Sequence, residues 1–281
     1  MQRLLVLQSM WPMERRHTDG WERSLEDNVE MIASAGFDGV SAHCTDRNLV
    51  RHLTDLTRPH GFAFEGQCFP KSVDDLKPIL DIATEFGVTH LDLQPDARPR
   101  QIEDCISLLE GSRRLGEQVD FPIYIETHRD RMTTDLYFTL DLLDRLPDLT
   151  LLGDISHYLV GREFAWPVSD ENHALIHRIL DNSWAFHGRV ASREQVQIEI
   201  SFPHHRMWVD LFCGWWEYGF RSWHRRAGSD QALTFTCELG PKPYAITGPD
   251  GNDTTDRWRE SLELMRITRT VWDRCSQELR S

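Results

Sequence analysis

Four short apolar runs in the second half of this 281-residue chain close on a side chain able to bind a cation or move a proton. Pro122-Ile-Tyr-Ile ends on Glu126, Leu149-Thr-Leu-Leu-Gly on Asp154, Ser183-Trp-Ala-Phe on His187 and Leu233-Thr-Phe-Thr-Cys on Glu238. Three carboxylates brought together repel one another unless a cation sits among them. Glu, Asp, His and Glu offer mostly hard oxygen donors with one imidazole. That set suits Mn²⁺, Mg²⁺ or Co²⁺ and also admits Zn²⁺. Three of the runs carry a second polar residue just beyond them: His128 after Glu126, His157 after Asp154 and Arg189 after His187.

Such residues meet only if the elements carrying them are arranged around one axis. The chain alternates short apolar runs with helical periodicity from end to end. Arg3 to Ser9 reads as a first strand, and Trp21 to Ala35 as a helix with Leu25, Val29 and Ile32 on one face and Gly36 as its stop. Phe37 to His43 and Gly61 to Gln67 are the next strands, separated by a helix from Leu49 to Arg58. Ser72 and Asp75 open a helix that runs to Phe86 before Gly87. Thr89 to Gln94, the run to Glu126, the run to Asp154, the run to His187 and the run to Glu238 complete eight strand-helix units. The intervening helices are Ile102 to Gln118, Thr134 to Leu146, Glu171 to Asn182, His205 to Arg226 and Thr255 to Ser276. Apolar strands buried on both sides predict an α/β protein, a single (β/α)8 TIM barrel spanning residues 1–281. An open doubly wound sheet would need a Gly-rich phosphate turn after the first strand, and Gln8-Ser-Met-Trp-Pro12 is not one.

In such barrels the reacting groups sit at the C-terminal ends of the strands. Here those ends supply Gln8, His43, Gln67, Gln94, Glu126, Asp154, His187 and Glu238. The formal charge of −14 argues against a partner rich in phosphate, so no nucleic acid is expected. No apolar run approaches a membrane span, and the N-terminus lacks the shape of a signal peptide. The six cysteines are scattered without a C-x-x-C pair, which reads as reduced thiols in a cytoplasmic protein.

On this barrel, Glu126, Asp154-x-x-His157, His187-x-Arg189 and Glu238-x-Gly-Pro resemble the xylose isomerase-like sugar isomerase/epimerase superfamily. The resemblance extends over essentially the whole chain and is closest to the sugar-phosphate isomerase/epimerase and ketose 3-epimerase branch. It implies that Glu126, Asp154, His187 and Glu238 bind one divalent metal, with Mn²⁺ favoured, and that His157 and Arg189 touch a sugar or polyol substrate. It implies proton removal beside a metal-bound carbonyl through an enediolate, with Glu126 and Glu238 as the acid/base pair. In ketose 3-epimerases the arginine lies several residues beyond the histidine, whereas Arg189 lies two beyond His187. That departure leaves the substrate open. It also keeps a lyase or dehydratase acting on a keto-sugar or inosose as an alternative. An endonuclease IV-like phosphodiesterase would need more histidine ligands and a basic surface. A non-catalytic barrel would not be expected to keep all four ligands.

Further residues carry two readings each. His128 is a substrate contact or a solvated loop residue, and Trp11 an apolar wall for a sugar or a packing residue. His43 and Gln94 are expected to face the barrel mouth, and Lys242 to reach it from the last loop. His204 and His205 read as structural. Trp215 reads as core, and Trp216 as exposed at a subunit contact of a homo-oligomer.

Overall fold

The computed structural model describes residues 1–14 and 22–278. Eight parallel strands close into a barrel in chain order: β1 (Arg3–Ser9), β2 (Gly39–His43), β3 (Ala63–Cys68), β4 (His90–Leu93), β5 (Ile123–Glu126), β6 (Leu151–Gly153), β7 (Ser183–Gly188) and β8 (Ala232–Cys237). β8 returns to β1 with Val6 opposite Phe235, which closes the ring. The expected (β/α)8 barrel is therefore observed.

Helices α1 (Leu25–Ala35), α2 (Arg47–Thr57), α3 (Val73–Phe86), α4 (Ile102–Gly116) and α5 (Leu136–Arg145) follow the first five strands. α6 (Ser156–Gly161) and α7 (Asp170–Leu180) both follow β6, α8 (Arg206–Arg226) follows β7, and α9 (Arg257–Glu278) follows β8. Their starts are fixed by side-chain caps. Ser24, Ser72 and Ser169 accept from Asp27 N, Asp75 N and Asn172 N, and Asp46 and Asp135 cap α2 and α5. The cap on Ser24 starts α1 at Leu25; the expected start at Trp21 lies outside the described residues. α6 was not foreseen: its single short stretch carries too little periodicity to separate it from a loop.

Barrel and helices meet in a continuous apolar layer. Phe235 and Phe186 of the barrel pack on Phe220 of α8, and Trp216 stands edge-on to Phe235 with ring centroids 5.1 Å apart. Trp216 is fully buried, so it is core and not an exposed subunit contact. α8 presents Phe212, Trp215, Trp216, Gly219, Phe220 and Trp223 inward because α9 covers the flank that would otherwise face water. Among the described residues, no helix is long and apolar enough to cross a membrane. Cys44, Cys68, Cys105, Cys213 and Cys237 carry free thiols.

Candidate metal centre

Alternation along a barrel strand sends every second side chain into the lumen. On β5 to β8 this brings Glu126, Asp154, His187 and Glu238 together: one ligand atom of each lies within 4.8 Å of the others, and all four side chains are buried. Hydrogen bonds of the backbone fix the ends that carry them. Thr127 Oγ1 donates to Asp154 O at 2.9 Å, and Asp154 N donates to Thr127 Oγ1 at 2.9 Å, which clamps β5 to the chain leaving β6. Thr133 Oγ1 donates to Glu126 O at 2.7 Å and ties the next loop to the same point. Ser156 holds one oxygen of Asp154, donating from N at 3.0 Å and from Oγ at 2.5 Å to Oδ1, so Oδ2 alone is left facing the cluster.

The atoms aimed at one another lack partners. Both carboxylate oxygens of Glu126, Oδ2 of Asp154 and Nδ1 of His187 are buried without a hydrogen bond. Leaving such groups unpaired in a low-dielectric interior is costly, and a cation that accepts their lone pairs removes the cost. His187 is set up for that. Its Nε2 donates to Glu65 Oε1 at 2.9 Å, which leaves the lone pair of the neutral ring on Nδ1. Nδ1 faces Glu126 Oε1 and Glu238 Oε2, each at 3.2 Å. Two carboxylate oxygens against a lone pair are tolerable only with a positive charge between them. The three-carboxylate, one-imidazole donor set thus fits a divalent cation.

Proton equilibria report the same crowding. Burial pushes the Glu126 carboxyl up to about 7, against the pull of His187. Burial also raises Asp154, although Arg189 opposes it. Burial disfavours the charged imidazolium of His187, but Glu65, Glu238 and Glu126 outweigh it and hold the ring protonated well above the ordinary histidine range. Glu238 is buried too, yet His187 and Arg189 overcome that and hold it below the usual carboxylate range. With the donors alone, a proton on His187 stands where the cation's charge would be.

Around the four donors lies a ring of polar side chains. Arg189, buried, donates from Nη2 to Glu238 Oε2 and places Nε 3.3 Å from Asp154 Oδ2. Gln67 Nε2 donates to Glu238 Oε1 at 3.3 Å. His157, on the first turn of α6, is buried, and neither ring nitrogen has a hydrogen-bond partner. His128 packs on it with ring centroids 4.1 Å apart, which places it at the site and not as a solvated loop residue; burial lowers it to about 4. Trp11 stands edge-on to Tyr244, with centroids 5.0 Å apart, and packs across Gly240, where a Cβ would lie 2.2 Å from the indole. Gln94 is buried and donates to Asp92.

His43 ends β2 opposite Gln67, is exposed, and stands edge-on to Phe69 at 5.2 Å. Lys242 donates to Asn252 Oδ1 at 3.1 Å, so it is tied within its own loop.

Sequence reasoning missed the layer beneath. Glu65 and His90 are buried, with His90 Nε2 donating to Glu65 Oε2 at 2.7 Å and Thr236 Oγ1 to the same oxygen at 3.1 Å. Asp92 is buried among carboxylates, and desolvation, helped by Glu126, raises its carboxyl well above the usual range. The signal was present: Glu65 and Gln67, and His90, Asp92 and Gln94, are spaced by two, so each set faces the lumen.

No family model and no curated protein matches the chain. Solved structures do. A D-psicose 3-epimerase from Clostridium cellulolyticum H10, solved with D-tagatose, superposes with a TM-score of 0.59 at 12% identity, covering 96% of this chain and 99% of that one. A xylose isomerase-like TIM barrel protein from Mycobacterium smegmatis in complex with magnesium gives a TM-score of 0.60 at 12% identity, covering 96% and 98%. The chain shares the (β/α)8 barrel fold of these structures. A family 2 AP endonuclease from Brucella melitensis also superposes, with a TM-score of 0.54 at 12% identity over 86% of this chain and 94% of that one. The fold is therefore shared by proteins of unlike activity, and function has to be argued from the side chains.

Proposed function

We propose that this protein is a divalent-metal-dependent isomerase or epimerase of a keto-sugar or related polyol. The observation that carries the reading is the convergence of buried Glu126, Asp154, His187 and Glu238, with both oxygens of Glu126, Oδ2 of Asp154 and Nδ1 of His187 lacking a hydrogen-bond partner. These four would hold the cation, with Mn²⁺ favoured by the hard oxygen donors and Mg²⁺, Co²⁺ or Zn²⁺ as substitutes. When bound, the cation would polarise a carbonyl and acidify the adjacent C–H.

The chain's own residues supply the rest. Glu126 keeps both oxygens free of protein donors and so is able to take a proton from carbon. Glu238 stands across the cluster, held by Arg189 and Gln67, and would return the proton from the other side. The different hydrogen bonding of the two carboxylates gives them unequal basicity, which is what an acid and a base at one pH require. His157 and Arg189 would hold substrate hydroxyls through ring and guanidinium nitrogens that have no protein partner. His128 and Trp11 would complete the wall. A small sugar fits these groups better than a nucleic acid does: the net charge is −14, and β3 and β4 offer the amides Gln67 and Gln94 at the mouth. The free thiols accord with a reducing, cytoplasmic setting.

The test is solvent-deuterium exchange into a panel of ketoses by the Mn²⁺-loaded protein. Label at a carbon beside the carbonyl, abolished in Glu126→Gln, is the expected result. Loss of water from the substrate would move the protein to the lyases. No exchange and no product from any ketose would overturn the reading.

A further inference from the structure

Among the described residues, the wall of the site holds an arginine that no carboxylate pairs with. Arg129 lies in the loop between β5 and α5, three residues past Glu126, and is half-buried. Its guanidinium carbon lies 4.6 Å from the centroid of Tyr244, and that of Arg189 lies 4.8 Å from the same ring. The other arginines nearby are matched. Arg189 faces Glu238 and Asp154. Arg98 grips Asp130 with two bonds of 2.8 and 2.7 Å, and Arg131 lies 3.5 Å from Asp96. Asp130, the acid adjacent in sequence to Arg129, is thus engaged by Arg98. Among the described residues, no carboxylate forms an ion pair with Arg129.

Arg129 also joins the row of groups that leads out from the metal ligands. His128 Nδ1 donates to Arg129 O at 2.5 Å, and the His128 ring packs on His157, whose two nitrogens are buried and unclaimed. Arg189 contributes a further unclaimed donor, the buried Nη1. A half-buried guanidinium over an aromatic ring, with no ion pair among the described residues, is suited to two-point capture of a carboxylate or phosphate. A neutral sugar would satisfy His157 and leave Arg129 uncompensated.

We infer that the substrate carries an anionic group, a carboxylate or a phosphate, remote from its carbonyl, and that Arg129 on Tyr244 receives it with Arg189. The inference rests on the proposed function only for the reacting end; the anion site is tested without it. Binding of D-tagatose, D-tagaturonate and D-tagatose 6-phosphate to the Mn²⁺-loaded protein is measured by calorimetry, beside deuterium exchange into each. At least one anionic compound should bind about tenfold or more tighter than D-tagatose, and which one does distinguishes carboxylate from phosphate. Arg129→Met should collapse that ratio and Arg129→Lys restore part of it. Equal binding of neutral and anionic compounds, or a preference untouched by Arg129→Met, overturns the inference. Anion-selective binding without exchange leaves the anion site standing and removes the isomerase reading.

Discussion

Strands β5 to β8 deliver Glu126, Asp154, His187 and Glu238 to the mouth; Glu126, Asp154 Oδ2 and His187 Nδ1 lack hydrogen-bond partners there, and Glu238 is held by Gln67 and Arg189. Strands β1, β3 and β4 deliver the amides Gln8, Gln67 and Gln94, buried and in part hydrogen-bonded. The first half of the barrel keeps its ionisable groups one layer deeper. Glu65, fastened by His90 and Thr236, holds His187 from across the lumen. One half thus supplies ligands and the other supplies the support that aims them. A metal-binding imidazole generally gives its second nitrogen to a carboxylate or carbonyl, which fixes ring orientation and basicity.

Substitutions on the two sides should separate these roles. The largest effect is expected from Glu126→Gln, which takes away a ligand and the unpartnered base: deuterium exchange should vanish and metal content fall, as read by kinetics and elemental analysis of the same preparation. Glu65→Gln comes next. Its neutral amide oxygen can still accept from His187 but carries no charge to balance the cation through it, so metal affinity should fall about 10–100-fold with the four ligands intact. Unchanged affinity in calorimetric titration would show that the deeper layer is only packing.

Lower pH should weaken binding by a smaller, graded amount. Burial raises Glu126 to about 7, so below that pH the neutral acid is favoured and a proton must leave before the cation enters. Affinity should then drop by about tenfold or more for each pH unit below about 7, because the proton on His187 must leave as well, with proton uptake on metal release. A flat profile between pH 5 and 7 would show that neither Glu126 nor His187 holds a proton there. The smallest effect is expected from Gln67→Leu, which removes one donor from Glu238 and leaves Arg189 in place. A change in metal affinity well under tenfold, measured the same way, would keep the first half in its supporting role.

The division between the halves also marks what the sequence discloses. The strand-ending Glu126, Asp154, His187 and Glu238 were legible because a polar residue closing an apolar run is conspicuous and each sits where a barrel strand opens. Glu65, His90 and Asp92 were harder to see because strand interiors were taken to be apolar, although their spacing by two repeats the rule that orients every lumen residue. Trp216 was misread because the buried stripe of α8 was drawn through Trp215 alone, whereas Trp216 also turns inward, edge-on to Phe235 of β8. Arg129 and Tyr244 come from loops of different units, and only the closed barrel brings them together.

The central claim is that β5 to β8 build one divalent-cation centre. Calorimetric titration of metal-stripped protein with Mn²⁺, set beside the same titration of Asp154→Asn, tests it most directly. The account predicts one equivalent bound by the native chain and none bound tightly by the variant, with both chains equally folded by circular dichroism. Absence of binding to the native chain, or identical isotherms for the two proteins, would contradict it.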